Sequence, residues 1–493
     1  MEIVVATRQG HVRGRLEDGV AVFLGIPYAA DPVGEARFAP PSPAPSWDGV
    51  RDALDYGPTA PQLQYAPPYD RLLVNPLIPG TGCLNLNVWT PDVGARLPVM
   101  VWIHGGAFVY GSGAVPQYRG ARFARDGVVL VTINYRLGAD GFLFLEDGCP
   151  NAGLLDQLAA LEWVQENIAA FGGDPSRVTV AGESAGAMSV ATLLSMPAAR
   201  GLFQRAITES GAGHHVLSAA TARRVAGYLA ERLGVAPRRS AMARVPVERT
   251  LEAAAALAAE AQLRPDPERW GEITLNQMIF EPVVDGEVLP ARPIDAIAAG
   301  AGSGVGLLTG TNADEQRFFL VPQGAIDGID EATLAALATA YGLGPEAVDV
   351  YRRGRPGASP GDVLSAVVTD WFFRIPSLRL AEARAARGER VHVYEFTWPS
   401  PLFEGRLGSC HALEVPFVFD TLDAEGTERL TGPEPPVELA SAMHRAWVDF
   451  VAGGDPGWPA YDLDRRPVMR FGERSGVEDD PGGGERRLWE GVR

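Results

Sequence analysis

Lysine is absent from this chain: all 43 basic residues among its 493 are arginine. Schiff-base chemistry and a serine–lysine mechanism are therefore closed to it. Cysteine is scarce, with only Cys83, Cys149 and Cys410, far apart in sequence. That is neither a disulfide framework nor a zinc cluster, and it fits a reducing cytoplasm. Positive charge is in deficit, since the formal net charge is -18. Phosphates would be repelled, which argues against a nucleic-acid partner. No apolar run approaches the ~20 residues of a membrane span. Residues 1–10 show no basic segment followed by a long apolar one, so the expectation is no signal peptide, no membrane and a cytoplasmic protein.

What the chain does contain is globular in character, with 46% hydrophobic and 21% charged residues. Short apolar runs at 2–6, 12–16 and 20–24, separated by glycine turns, read as antiparallel strands. Residues 31–82 are rich in proline and aromatics, and read as a packed cover. From residue 84 the runs at 84–90, 97–103 and 128–133 become continuously apolar, as in strands buried on both faces. A helix follows at 152–171, with Leu154, Leu158, Leu161 and Ile168 at helical intervals, stopped by Gly172-Gly173-Asp174-Pro175. Strands recur at 177–181, 305–309 and 391–396, and a last helix at 437–451. Strand and helix alternation implies an α/β protein with a mixed, mostly parallel sheet covered on both faces. With no repeat and no obvious linker, the chain reads as one unit, 1–493, with helices inserted near 217–265.

The most informative stretch is Gly182-Glu183-Ser184-Ala185-Gly186, between an apolar run and a helix-like stretch of small residues. Strand, Gly-x-Ser-x-Gly, helix is the arrangement of a nucleophile elbow, in which the serine takes a strained backbone conformation and projects above the sheet. Serine needs a base, an acid to orient that base, and donors for a developing oxyanion. Donors are offered by Val101-Trp102-Ile103-His104-Gly105-Gly106-Ala107-Phe108, where small residues follow a buried strand and leave the backbone N–H groups accessible.

The base must come from seven histidines. In the order serine, acid, histidine that such elbows follow, His11 and His104 precede the serine. His104 reads as a brace for the oxyanion loop. His214 and His215 follow the serine too soon for an acid-bearing strand to intervene. His392 lies in an apolar strand and His444 in a helix. His411, in a loop after the 391–396 strand, is the best candidate. The acid is either Asp314 or Glu315, just beyond the 305–309 strand.

Further stretches are Phe23-Leu24-Gly25-Ile26-Pro27-Tyr28-Ala29, Cys83-Leu84-Asn85-Leu86-Asn87-Val88-Trp89, Asn134-Tyr135-Arg136-Leu137-Gly138, Asn151-Ala152-Gly153-Leu154-Leu155-Asp156-Gln157 and Pro282-Val283-Val284-Asp285-Gly286. With the elbow and the glycine loop, they make the chain resemble the type-B carboxylesterases, the family that contains cholinesterases and bacterial p-nitrobenzyl esterases. The resemblance implies an α/β-hydrolase fold with helical insertions around a gorge. It selects Glu315 as the acid, with Gln316 standing where the family's Asp-Glu-Gly motif has glycine. It assigns Ser184 and His411 to the triad, and places oxyanion donors on the backbone of Gly106, Ala107 and Ala185, with Gly105 supplying flexibility. Glu183 and Ser210 become supporting residues.

The implied activity is serine carboxylesterase, acting on small-molecule esters with short or medium acyl chains and bulky or aryl alcohols. No cofactor or metal is implied, and the protein is expected to be a monomer. Phe108, Phe372 and Phe373 are candidates for the substrate pocket, with core packing as the competing role. Thr81-Gly82-Cys83 replaces the family's Glu-Asp-Cys, and residues 57–83 contain neither a second cysteine nor a tryptophan. Cholinesterases use a tryptophan there to hold quaternary ammonium, so choline esters are poor candidates. Two other readings use the same fold: a non-catalytic binding protein, and a thioesterase or amidase with the same triad.

Overall fold

The computed structural model describes residues 2–493, and a sheet of thirteen strands runs through it. In spatial order the sheet begins Glu2–Ala6, His11–Glu17, Val20–Pro27, Asn85–Thr90, Val129–Ile133 and Leu97–Ile103. It continues through Gly173–Glu183, Arg205–Glu209, Gly306–Asn312, Val391–Phe396, Pro467–Phe471 and Gly476–Asp479. The remaining strand, Val50–Asp52, pairs with His11–Glu17 off this path. Every pairing between Val129–Ile133 and Pro467–Phe471 is parallel, whereas the flanking pairings along this path are antiparallel and Val50–Asp52 pairs parallel with His11–Glu17.

Strand geometry explains why the central runs are apolar throughout. Successive side chains point to opposite faces. Val99, Val101 and Ile103 enter one hydrophobic core, while Met100 and Trp102, between them, enter another. Val129 and Val131 divide from Leu130 in the same way. Leu154, Leu158 and Leu161 of the helix Ala152–Asn167 fill the first core, joined by Met188, Val190 and Ala191 of Ala185–Ser195. Leu439, Met443, Trp447 and Phe450 of the helix Val437–Gly453 fill the second. Both faces of the sheet are therefore covered.

The 152–171 helix is α-helical only to Asn167, and a 3-10 turn, Ile168–Phe171, completes it. Gly172 then takes φ +79, where a Cβ would lie 1.9 Å from the carbonyl oxygen of Asp92, so only glycine fits. The alanine-rich segment forms Ala219–Leu233, Arg239–Met242 and Val247–Leu263. Val225, Leu229 and Leu257 join the first core, and Arg223, Glu231, Arg232 and Glu248 face solvent. Much of 31–82 has no regular structure but is tied down. The Gln62 amide donates to Gly111 O and accepts from Gly111 N, both at 2.8 Å. The Tyr65 ring packs 4.6 Å from Tyr110. All three cysteines are free, and no helix among the described residues is long and apolar enough to cross a membrane.

Parallel strands deliver their following loops to one edge of the sheet, where ligands bind in folds of this architecture. Loops after Ile103, Glu183, Glu209, Asn312 and Phe396 all emerge there. One buried ion pair secures the chain behind them. Arg136 donates from Nε to Asp156 Oδ2 at 2.8 Å and from Nη2 to Oδ1 at 2.7 Å, and its backbone N–H adds a bond at 3.0 Å. Neither side chain is exposed by more than 1%. Removing one partner strands a buried charge, so Asp156→Ala should lower the unfolding free energy by about 3–5 kcal/mol. Urea denaturation checks this, with a much smaller loss counting against the pair as an anchor.

Candidate active site

Ser184 ends the strand Gly173–Glu183 and caps the helix Ala185–Ser195, with φ 56 and ψ -123. Its backbone N–H donates to Glu209 O at 2.8 Å, and its carbonyl accepts from Met188 N at 2.9 Å, starting the helix. The flanking glycines answer a steric demand. A Cβ on Gly186 would lie 2.0 Å from Ile103 O, and one on Gly182 would lie 2.6 Å from the same oxygen. Strand, turn and helix can approach this closely only without those side chains.

His411 Nε2 lies 2.9 Å from Ser184 Oγ, and His411 Nδ1 lies 2.6 Å from Glu315 Oε2. The other Glu315 oxygen accepts from Asn312 N at 2.8 Å, at the end of the strand Gly306–Asn312. Asp314 is engaged elsewhere: its Oδ2 accepts from Ser409 N at 3.0 Å, and Arg317 Nε stands 3.3 Å from its Oδ1. Geometry thus separates the two acids that residue type left open. Gln316 sits at φ -68, ψ -18, a conformation that needs no glycine.

The small-residue loop lies directly against the serine. A Cβ on Gly105 would approach Ser184 Cβ to 3.0 Å and Glu183 O to 2.7 Å. Gly106 has φ +108, and its carbonyl accepts from Val109 N at 2.9 Å and Tyr110 N at 2.8 Å. Among the described residues, the N–H groups of Gly106 and Ala107 have no acceptor in the chain. Ala185 N, in the first turn of its helix, has no intrahelical acceptor either. His104 stacks on Tyr135 at 4.6 Å, its Nδ1 lies 2.8 Å from Gly105 O, and Tyr135 Oη donates to His104 O at 2.9 Å. Burial pushes the His104 pKa down to about 4, so it braces the loop as a neutral ring.

Three buried carboxyl groups, Glu183, Glu315 and Glu414, act on this one imidazole, and a fourth, Glu209, is buried close enough to feel Glu414 and Glu183. Glu183 Oε1 stands 3.1 Å from His411 Nε2, the nitrogen that also faces the serine. Burial raises the Glu183 pKa against the opposing pull of His411. Burial alone would lower that of His411, but the charges of Glu183 and Glu315 outweigh it and hold the imidazole above its ordinary value. Glu414 is raised to about 8, first by burial and then by the neighbouring carboxylates. Its Oε1 makes a long 3.5 Å contact with Ser210 Oγ, and its Oε2 accepts from Asn312 Nδ2. Glu209 is also raised by burial and accepts from Trp447 Nε1 at 2.7 Å. Sequence reasoning singled out neither Glu209 nor Glu414. Carboxylates inside the apolar runs at 205–209 and 413–419 were the available signal.

Among the pocket candidates, the Phe373 ring lies 4.8 Å from the His411 ring, and Phe372 packs 4.6 Å from Phe373. Phe108 is a correction. It has no exposed surface and packs edge-on against Phe142 at 5.0 Å. At φ 60 it turns away from the chain direction of the glycine loop, and its ring joins the first core. The aromatics missed in sequence are Phe318 and Phe319, with rings 6.2 and 5.4 Å from His411.

The carboxylesterase family model matches residues 1–489. The para-nitrobenzyl esterase of Bacillus subtilis (strain 168) is 40% identical over 97% of this chain and 96% of its own length. The phenmedipham hydrolase of Pseudarthrobacter oxydans is 37% identical, covering 95% of each chain. Among solved structures, a carboxylesterase of Geobacillus stearothermophilus at pH 6.2 superposes with a TM-score of 0.87 and 40% identity, over 99% of both chains. The fold is that of the α/β-hydrolases. Matched along nearly its whole length by the family model and by relatives this similar, the chain belongs to the carboxylesterase family and is a carboxylic ester hydrolase.

Proposed function

We propose that Ser184, His411 and Glu315 are the catalytic triad, a reading carried by the unbroken chain from Ser184 Oγ through the imidazole to the Glu315 carboxylate. His411 Nε2 takes the serine proton as Oγ attacks the ester carbonyl. The N–H groups of Gly106, Ala107 and Ala185 hold the tetrahedral oxyanion, and the turn at Gly105 lets the loop approach the serine. His411 then gives its proton to the leaving alkoxide, and the alcohol departs from an acyl-enzyme. In the second half, His411 deprotonates water, water attacks the acyl carbon, and the proton returns to Ser184 as the acid leaves.

Glu183 acts on the same nitrogen. Its carboxylate beside Nε2 stabilises the imidazolium formed while the serine proton is in transit. Ser210 supports this arrangement through Glu414. Phe318, Phe319 and Phe373 around the imidazole supply an apolar wall for an aryl group. Aryl and benzyl esters are therefore the proposed substrates, in keeping with the para-nitrobenzyl esterase and phenmedipham hydrolase names of two relatives. Nothing in the sequence resembles a long lipid-binding lid, and short or medium acyl chains are the proposed preference.

Hydrolysis of p-nitrophenyl butyrate should be faster than that of the palmitate, and Ser184→Ala should lose on the order of 10⁴- to 10⁶-fold in kcat. A variant that stays active would remove Ser184 as the nucleophile, and faster palmitate turnover would reject the chain-length preference. The pH dependence follows from the charges on His411. Its neutral form is the base, and the two carboxylates favour its protonated form, so kcat/KM should rise with pH through an inflection above the ordinary imidazole value. Glu183→Gln removes one of those charges and should move the inflection to lower pH. An unchanged or higher inflection in the variant would contradict the role given to Glu183.

A further inference from the structure

The wall beside His411 is built on an irregular turn. Helices Pro360–Thr369 and Ile375–Ala385 are joined by a π-helical turn, Asp370–Arg374, which carries Trp371, Phe372 and Phe373. Such turns are uncommon and cluster at functional sites. Here the local sequence supplies the cause. In an α-helix the Phe372 carbonyl would accept from the residue four positions on, and that residue is Pro376, which has no N–H. A proline ring also presses on the carbonyl four residues earlier. The helix widens, and the carbonyl of the half-buried Phe372 loses its normal donor.

His215 supplies one. Its Nε2 lies 2.9 Å from Phe372 O, and its ring stacks on the Phe372 ring at 4.1 Å with an interplanar angle of 24°. Arg493 Nη2, a donor, also approaches Nε2, at 3.4 Å, but the carbonyl only accepts and lies closer, so Nε2 carries the proton and Nδ1 holds the lone pair. Nδ1 has no partner and faces Glu281 Oε1 across 3.9 Å, with both side chains fully buried. Glu281 is itself fixed by Asn276 Nδ2 at 2.9 Å. Arg493 lies over the Trp371 ring at 3.9 Å and donates from Nε to Trp371 O at 3.1 Å. Burial, with help from the Arg493 charge, lowers the His215 pKa to about 3, so the ring stays neutral while the enzyme works. From Phe372 the packing passes to Phe373 at 4.6 Å, and from Phe373 to the His411 ring at 4.8 Å.

We propose that His215 is a positioning residue: its Nε2–H satisfies the Phe372 carbonyl orphaned by Pro376, fixes the π-turn, and so holds the Phe372–Phe373 wall against the His411 imidazole. It sits too early in the chain to be the base and touches no reacting atom. Its effect is on which ester fits beside that wall, and this rests on the assignment of His411 as the base.

The test compares two substitutions of similar length, His215→Gln and His215→Met, on p-nitrophenyl acetate and the bulkier p-nitrophenyl benzoate. The Gln amide can donate to the Phe372 carbonyl, and the Met thioether cannot. The Gln variant should keep the ratio of kcat/KM between the two esters within about threefold of wild type, and the Met variant should change it about tenfold, mainly through KM. Neither should move the inflection of the pH profile, because His215 is neutral throughout. Equal ratios in the Gln and Met variants, or a shifted inflection in either, would overturn the proposal. If the Met variant does not fold, the Gln variant decides: a retained ratio supports the donor role, and a tenfold change rejects it. Failure of the triad assignment is distinguishable, since it would leave Ser184→Ala active.

Discussion

Everything at this site depends on how closely three backbone segments meet at Ser184. The strand Leu97–Ile103 runs beside Gly173–Glu183 in register, with Ile103 opposite Gly182. Its last carbonyl stands where side chains on Gly182 and Gly186 would have to go. That contact goes with the turn at φ 56 in Ser184, and the helix Ala185–Ser195 starts directly from it, its first N–H groups free of intrahelical acceptors. The same Ile103 begins the segment that becomes the oxyanion loop. One close approach therefore positions Ser184 relative to the N–H groups proposed as oxyanion donors, and bulk at either glycine would separate them.

A second constraint is electrostatic. Three buried carboxyl groups act on one imidazole, with Glu209 buried beyond them, in a medium that solvates charge poorly. Burial raises Glu183, Glu209 and Glu414, and Glu315 faces the Nδ1 side of His411. Negative charge is thus placed beside the imidazole that becomes protonated in each half-reaction of the proposed mechanism. In the same proposal, the positive ends of backbone dipoles on the opposite side of the serine face the oxyanion. The charges that develop in the transition state meet a field that is already arranged, so little reorganisation accompanies the chemistry.

The sheet and the Gly-x-Ser-x-Gly turn at Ser184 were legible in sequence because both rest on local rules. Alternating apolar residues in runs such as 97–103 fill two cores, and glycine at a crowded turn reflects a steric demand that nearby residues create. Other features depended on direction, which local rules do not carry. Asp314 and Glu315 are adjacent and chemically alike, and only the course of two loops decides which reaches His411. Phe108 follows the oxyanion loop in sequence, yet a left-handed backbone sends its ring into the core. Glu414 is three residues from His411, and only the fold brings it, buried, beside Asn312. His215 was set aside on chain order as a base, and its link to a turn 157 residues later has no sequence signature beyond Pro376.

The central claim is that Ser184 forms the acyl-enzyme. Its most direct test is mass spectrometry of the protein after treatment with an alkyl phosphonofluoridate, which phosphonylates an activated serine as fluoride leaves. The expected result is one adduct per chain, mapped to the peptide containing Ser184, with esterase activity lost in step with labelling. An adduct on another residue that abolishes activity, or full activity with Ser184 labelled, would contradict the account.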